Sequence, residues 1–185
     1  MKKLILILSL TLGFVTDVYA NDGFIQAGLH AGGDKLVGVT FTSGSTSSIS
    51  AGGLVSLAGG INLDMTPSSQ LRLALGYKFD DITGSNGSIT FSRTTLEASW
   101  FYLLNSDWSL GLGVTQHLNP VLKGTGVVAG RVAFKDATGL VFEADYQLSR
   151  GMYVGGHVTS IDYTAVSGAT TVSGNSLGIL FGWRF

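Results

Sequence analysis

The stretch Asn175–Phe185 constrains the fold more than any other part of the chain. Counting back from Phe185, every second residue is large and apolar: Trp183, Phe181, Ile179 and Leu177. Between them stand Arg184, Gly182, Leu180 and Gly178, mostly small or charged. A period of two marks a β-strand with two unlike faces. A stripe of Phe, Trp and Phe needs a partner, because soluble domains rarely leave such a patch open to water. If that partner is lipid, the sheet must close on itself, since hydrocarbon satisfies no free backbone group. The other extended segments must then repeat the pattern.

They do. Leu71, Leu73, Leu75, Tyr77 and Phe79 oppose Arg72, Ala74, Gly76, Lys78 and Asp80. Thr94, Leu96, Ala98, Trp100, Tyr102 and Leu104 oppose Arg93, Thr95, Glu97 and Ser99. Trp108, Leu110, Leu112, Val114 and Leu118 oppose Ser109, Gly111, Gly113, Thr115 and His117. Leu140, Phe142, Ala144, Tyr146 and Leu148 oppose Val141, Glu143, Asp145 and Gln147. Over 153–163, Tyr153, Gly155, His157, Thr159, Ile161 and Tyr163 share a face, which is read as outward. Its two tyrosines would stand roughly 25 Å apart along a membrane normal, one at each interface.

Composition supports lipid over water. Charged residues make up 12% of the chain, about half the usual quarter of a soluble domain. The outer face of a soluble β-protein could not be covered with so few. The 27 glycines suit crowded strands, and the absence of cysteine says nothing about compartment.

Residues 1–20 read as a secretory signal peptide: Met1-Lys2-Lys3, an apolar run from Leu4 to Val15, and Val18-Tyr19-Ala20 before a cut ahead of Asn21. Removing Lys2, Lys3 and Asp17 from 11 basic and 12 acidic residues leaves 9 and 11, near −2. That balance offers no basic stripe for nucleic acid. Residues 21–185 are then a single barrel domain with no apolar run long enough for a membrane helix.

The connections alternate in length. Asp64–Ser69, Asn105–Asp107 and Ser149–Gly151 are short turns, whereas Ile82–Ser88, Asn119–Ala137 and Val166–Gly174 are longer loops. Phe24–Thr42 and Ser48–Met65 flank Ser43–Ser47 as one long hairpin. Ala31-Gly-Gly-Asp34 within it is read as a bulge, although a tight turn that adds a strand is the alternative. The expected fold is all-β: an eight-stranded antiparallel up-and-down transmembrane β-barrel.

With apolar faces outward, Arg72, Lys78, Arg93, Glu97, Glu143, Asp145 and Arg184 form an interior charge network, with Asp80 and Asp162 inside near an end. Eight strands leave room for little but side chains, and opposite charges there must pair. His30 is expected inside. His117 is expected at the rim below the longest loop, as a loop anchor or, less favoured, a general base. His157 is expected outward, where a local bulge could still turn it in. No serine–histidine–carboxylate pattern, metal-ligand spacing or phosphate-binding glycine loop is present. The expectation is therefore no enzyme, no catalytic or metal residues and no cofactor.

The chain resembles the small eight-stranded outer-membrane barrels of Gram-negative bacteria, the outer-membrane-protein-A-like and opacity-protein-like class. The likeness runs from about Phe24 to Phe185 and is most specific where Gly174-Asn-Ser-Leu-Gly178 leads into Phe181-Gly-Trp-Arg-Phe185. It implies that Phe181, Trp183 and Phe185 are the signal read by the barrel-assembly machinery. It also implies an outer-membrane location among lipid and lipopolysaccharide, as a monomer. The expected role is structural or surface-interacting through the loops, around an interior plugged by polar side chains. The alternatives are a lipid A-modifying enzyme with His117 near the rim, and a soluble periplasmic barrel with its faces inverted around an apolar ligand. A narrow pore is a further one.

Overall fold

Alternating strands need neighbours in register, and the computed structural model shows how they find them. It describes residues 19–41, 43–168 and 170–185. Thirteen strands follow in order: β1 (Tyr19–Ala31), β2 (Lys35–Thr40), β3 (Thr46–Ser50), β4 (Val55–Thr66), β5 (Ser69–Gly84), β6 (Gly87–Leu103), β7 (Trp108–Gly124), β8 (Gly130–Ala133), β9 (Ala137–Gln147), β10 (Met152–Ser160), β11 (Asp162–Thr164), β12 (Thr171–Ser173) and β13 (Ser176–Arg184). Eight of them, β1, β4, β5, β6, β7, β9, β10 and β13, form a closed antiparallel barrel. β13 closes it onto β1, from Phe24 opposite Arg184 to Ala31 opposite Leu177. Of the segment assigned to a signal peptide, Tyr19 and Ala20 pair with Asp64 and Leu63, and residues 1–18 lie outside the described residues.

The outer face is apolar. Leu29, Leu75, Leu112, Leu140, Leu177 and Ile179 are each about 60% exposed, and Trp100, Phe142, Phe181 and Trp183 about half. The opposed positions on β5, β6, β7, β9 and β13 point into the lumen, as alternation requires.

β10 is a correction. Tyr153, Gly155, His157, Thr159, Ile161 and Tyr163 are buried in the lumen, and Val158 and Asp162 are exposed. The pair of tyrosines is therefore no interfacial girdle, and Asp162 does not face inward. Part of the cause lies on the neighbouring strand, where Tyr153 stands opposite Gly182. A Cβ on Gly182 would collide with the Tyr153 ring, and one on Gly178 with the His30 ring. Those two glycines leave the space that the rings fill.

The first hairpin is a second correction. Barrel pairing of β1 ends near Ala31, and β2 and β3 form a separate two-stranded sheet. Gly32 (φ 122°) and Gly33 (φ 77°) take backbone angles that side-chain-bearing residues avoid. The chain leaves the wall there and returns through Gly53 (φ 74°). Ala31–Asp34 is neither a bulge in one strand nor a turn that adds a barrel strand, so the count stays at eight.

The three longer connections are also more ordered than expected. β5 and β6 stay paired up to Gly84 opposite Gly87, β7 pairs with β8 and β11 with β12. Apolar alternation continues there, and it now serves a common cluster. Ile49, Ala51, Ile82, Ile89, Phe91, Phe134, Ile161, Tyr163 and Ala165 pack together at this end of the barrel. The Arg93 guanidinium donates from Nη2 to the carbonyl of Gly52 at 2.9 Å, tying the β3–β4 link over the lumen.

Candidate functional site

Barrel strands direct side chains alternately inward, so any site built from polar groups must lie in the lumen or on the projecting hairpins. Arg72, Lys78, Arg93, Glu97, Glu143, Asp145 and Arg184 all point into the lumen, with Arg72, Arg93, Glu143 and Asp145 at 2% exposure or less.

Near the short-turn end, Arg72 is the hub. Its Nη1 donates to Glu143 Oε1 at 2.5 Å, its Nη2 to Asp145 Oδ2 at 2.8 Å and its Nε to Asn62 Oδ1 at 3.1 Å. The two carboxylate contacts bridge β5 to β9 across the lumen, and Asn62 holds the guanidinium from the adjacent β4. The guanidinium carbon sits 4.0 Å from the centre of the Phe101 ring, a stacked cation–π arrangement suited to arginine. Arg184 Nη2 donates to the same Asp145 oxygen at 3.3 Å. The Tyr153 hydroxyl donates to Gln26 Oε1 at 2.8 Å and joins β10 to β1.

In the middle, Glu97 of β6 meets His157 of β10. Glu97 Oε2 lies 3.5 Å from His157 Nε2, and Glu143 Oε2 lies 3.9 Å from the same nitrogen. Ser99 Oγ donates to Glu97 Oε1 at 3.0 Å. His30 Nε2 lies 2.8 Å from Ser56 Oγ, and its ring meets that of His157 edge to face. Lys78 Nζ donates to Ser176 Oγ at 3.1 Å. A cavity of about 40 Å³ separates these groups, lined by His30, Lys78, Glu97, Thr115, His117 and His157 among others. That is room for one or two waters.

His117 is not exposed at the rim. It is 3% exposed beneath the apolar cluster, with Nδ1 at 2.5 Å from the Tyr163 hydroxyl. Asp80 lies above, accepting from the Ser50 backbone N–H at 3.2 Å. Phe181 and Trp183 on the outer face of β13 and Phe185 just past its end are all exposed.

Sequence reasoning found the seven charged residues because each sits opposite an obvious apolar stripe. It missed Tyr153, Tyr163 and His157 as luminal groups. A signal was available for the tyrosines: Gly182 and Gly174 leave the gaps that Tyr153 and Tyr163 fill. The proximity of His30 to Ser56, 26 positions apart, had no local signature. His30 Nδ1 has no hydrogen-bond partner among the described residues, so no third group orients that ring as in a hydrolytic triad.

No protein-family model matches the sequence, and no curated protein is detectably similar to it. Solved structures do share the fold. Neisserial surface protein A aligns over 91% of this chain and 99% of its own, at 8% identity and a TM-score of 0.54. Ail, the attachment invasion locus protein of Yersinia pestis, in complex with the heparin analogue sucrose octasulfate, aligns over 89% of this chain and 98% of its own. Its identity is 10% and its TM-score 0.50. The chain thus has the fold of the small eight-stranded outer-membrane barrels.

Proposed function

We propose that this chain is an integral protein of a bacterial outer membrane. Its barrel acts as a non-conducting anchor, and its projecting hairpins engage anionic surface molecules such as lipopolysaccharide. The observation that carries the reading is the inversion of polarity across the wall: aliphatic and aromatic side chains outside, paired guanidinium and carboxylate groups inside. A soluble carrier of an apolar ligand would need the reverse. The Arg72 bridge and the apolar cluster at the hairpin end obstruct the lumen at two levels, which supports an anchor over a pore. Burial of His117 on Tyr163 favours a structural role for it over lipid A chemistry. Exposure of Phe181, Trp183 and Phe185 supports reading them as the assembly signal.

The projecting β7–β8 hairpin supports the surface role. Lys123 stands directly opposite Arg131, and both are exposed. Like charges in that position are destabilising on their own, and an anionic headgroup would relieve them. The test has two arms on protein refolded into vesicles. Planar bilayers should show no stepwise conductance, and regular steps would overturn the anchor. Binding to vesicles containing lipopolysaccharide should weaken severalfold in Lys123→Glu/Arg131→Glu, and unchanged binding would overturn the surface role.

A further inference from the structure

We propose that Glu97, Glu143 and His157 form a binding site for one divalent transition-metal ion, of the zinc class, inside the barrel. The three side chains come from β6, β9 and β10. Glu143 and His157 are direct cross-strand partners, and Glu97 reaches them from β6, on the far side of β7. The candidate ligand atoms lie within 4.8 Å of one another.

The distances fit a shared ion better than shared protons. N–H···O bonds run at about 2.7–3.2 Å, shorter than the 3.5 and 3.9 Å found from His157 Nε2 to the two carboxylates. Ligands at about 2.0–2.2 Å from a tetrahedral ion stand roughly 3.3–3.6 Å apart. Closing all three onto one centre takes side-chain movement of about 1 Å.

A second observation points the same way. Glu143 is fully buried, and only its Oε1 is taken up, by Arg72. Its Oε2 faces His157 and has no hydrogen-bond partner among the described residues. A buried carboxylate oxygen left without a donor is expensive, and a cation would satisfy it. Locally, the carboxylates of Glu97, Glu143 and Asp145 gather near the guanidiniums of Arg72 and Arg184. Lys78 lines the same cavity further along, with its Nζ on Ser176.

The two carboxylate ligands are also held by their other ends, as metal ligands usually are. Ser99 fixes Glu97 through Oε1 and Arg72 fixes Glu143 through Oε1. Thr159 Oγ1 lies 3.4 Å from His157 Nδ1. In the tautomer with its proton on Nδ1, the side of Thr159, the Nε2 lone pair faces both carboxylates. The adjoining cavity has room for a water as fourth ligand. One imidazole with two carboxylates suits zinc, manganese or iron better than the all-oxygen sites that magnesium and calcium prefer. A bound ion would pin β6 to the β9–β10 pair across the lumen.

The test uses untagged protein refolded from urea with Zn²⁺ or Co²⁺, passed over chelating resin and analysed for metal by mass spectrometry. The folded state is checked by its heat-dependent shift on gels. Wild-type barrel should retain about one ion per chain, and Co²⁺ should add visible absorption bands reporting nitrogen and oxygen ligands. Glu97→Gln and His157→Gln should each abolish retention while folding, and Thr159→Val should weaken affinity about 10–100-fold. Wild-type protein that emerges metal-free, or folded His157→Gln that keeps as much metal as wild type, would overturn the site.

Discussion

Arg72→Met probes the charged lumen most directly. Methionine keeps much of the volume and the contact with Phe101 but removes the bonds to Glu143 and Asp145. Asp145 retains a cation, because Arg184 still reaches its Oδ2 at 3.3 Å. Glu143 does not: His157 Nε2 stands 3.9 Å from its Oε2, and the carboxylates of Glu97 and Asp145 lie beside it. Removing one partner of a buried ion pair costs about 3–5 kcal/mol, mostly through the charge left behind. At a slope of about 2 kcal/mol per M of urea, the unfolding midpoint should fall by roughly 2 M. The assay is a urea titration of chelator-treated barrel in phospholipid vesicles, read by tryptophan emission. Trp100, Trp108 and Trp183 all stand on the outer face and would leave lipid on unfolding. Arg72→Met/Glu143→Gln deletes the stranded charge and should recover about half the loss or more. The reasoning fails if Arg72→Met stays within about 0.5 kcal/mol of wild type, the range of surface changes. It also fails if Glu143→Gln deepens the defect instead of relieving it.

Two further outcomes follow from the wall. Leu112 is 65% exposed midway along the part of β7 that pairs with β9, so Leu112→Arg should destabilise the vesicle-inserted barrel by about 2–4 kcal/mol; a neutral effect in the same urea titration would mean this face meets water. Gly182→Ala places a methyl against the Tyr153 ring and should cost about 1–3 kcal/mol by overpacking. Adding Tyr153→Ala should then cost less than the two separate losses combined, and simple additivity would show that the two residues do not compete for space.

Alternation alone determined much of this protein. The stripes through Leu75, Trp100, Leu112, Phe142 and Phe181 identify strands and their outward faces, because a side chain's side of the sheet depends only on its position in a two-residue repeat. The same parity sends Arg72, Lys78, Arg93, Glu97, Glu143 and Asp145 inward, before any partner is known. What parity cannot choose is the orientation of a strand whose two faces are both plausible. On β10 the tyrosine face looks suited to an interface, and the gap at Gly182 on β13 makes room for Tyr153 in the lumen. Nor does a local repeat say where a paired strand leaves the wall. The exit at Gly32 and Gly33 depends on the cluster of Ile49, Phe91, Phe134 and Tyr163, whose members lie far apart along the chain. Which carboxylate Arg72 meets, and whether Glu97 and Glu143 converge on His157, follow from barrel closure. Contacts across a lumen are set by the stagger of eight strands together, a property that no single strand encodes.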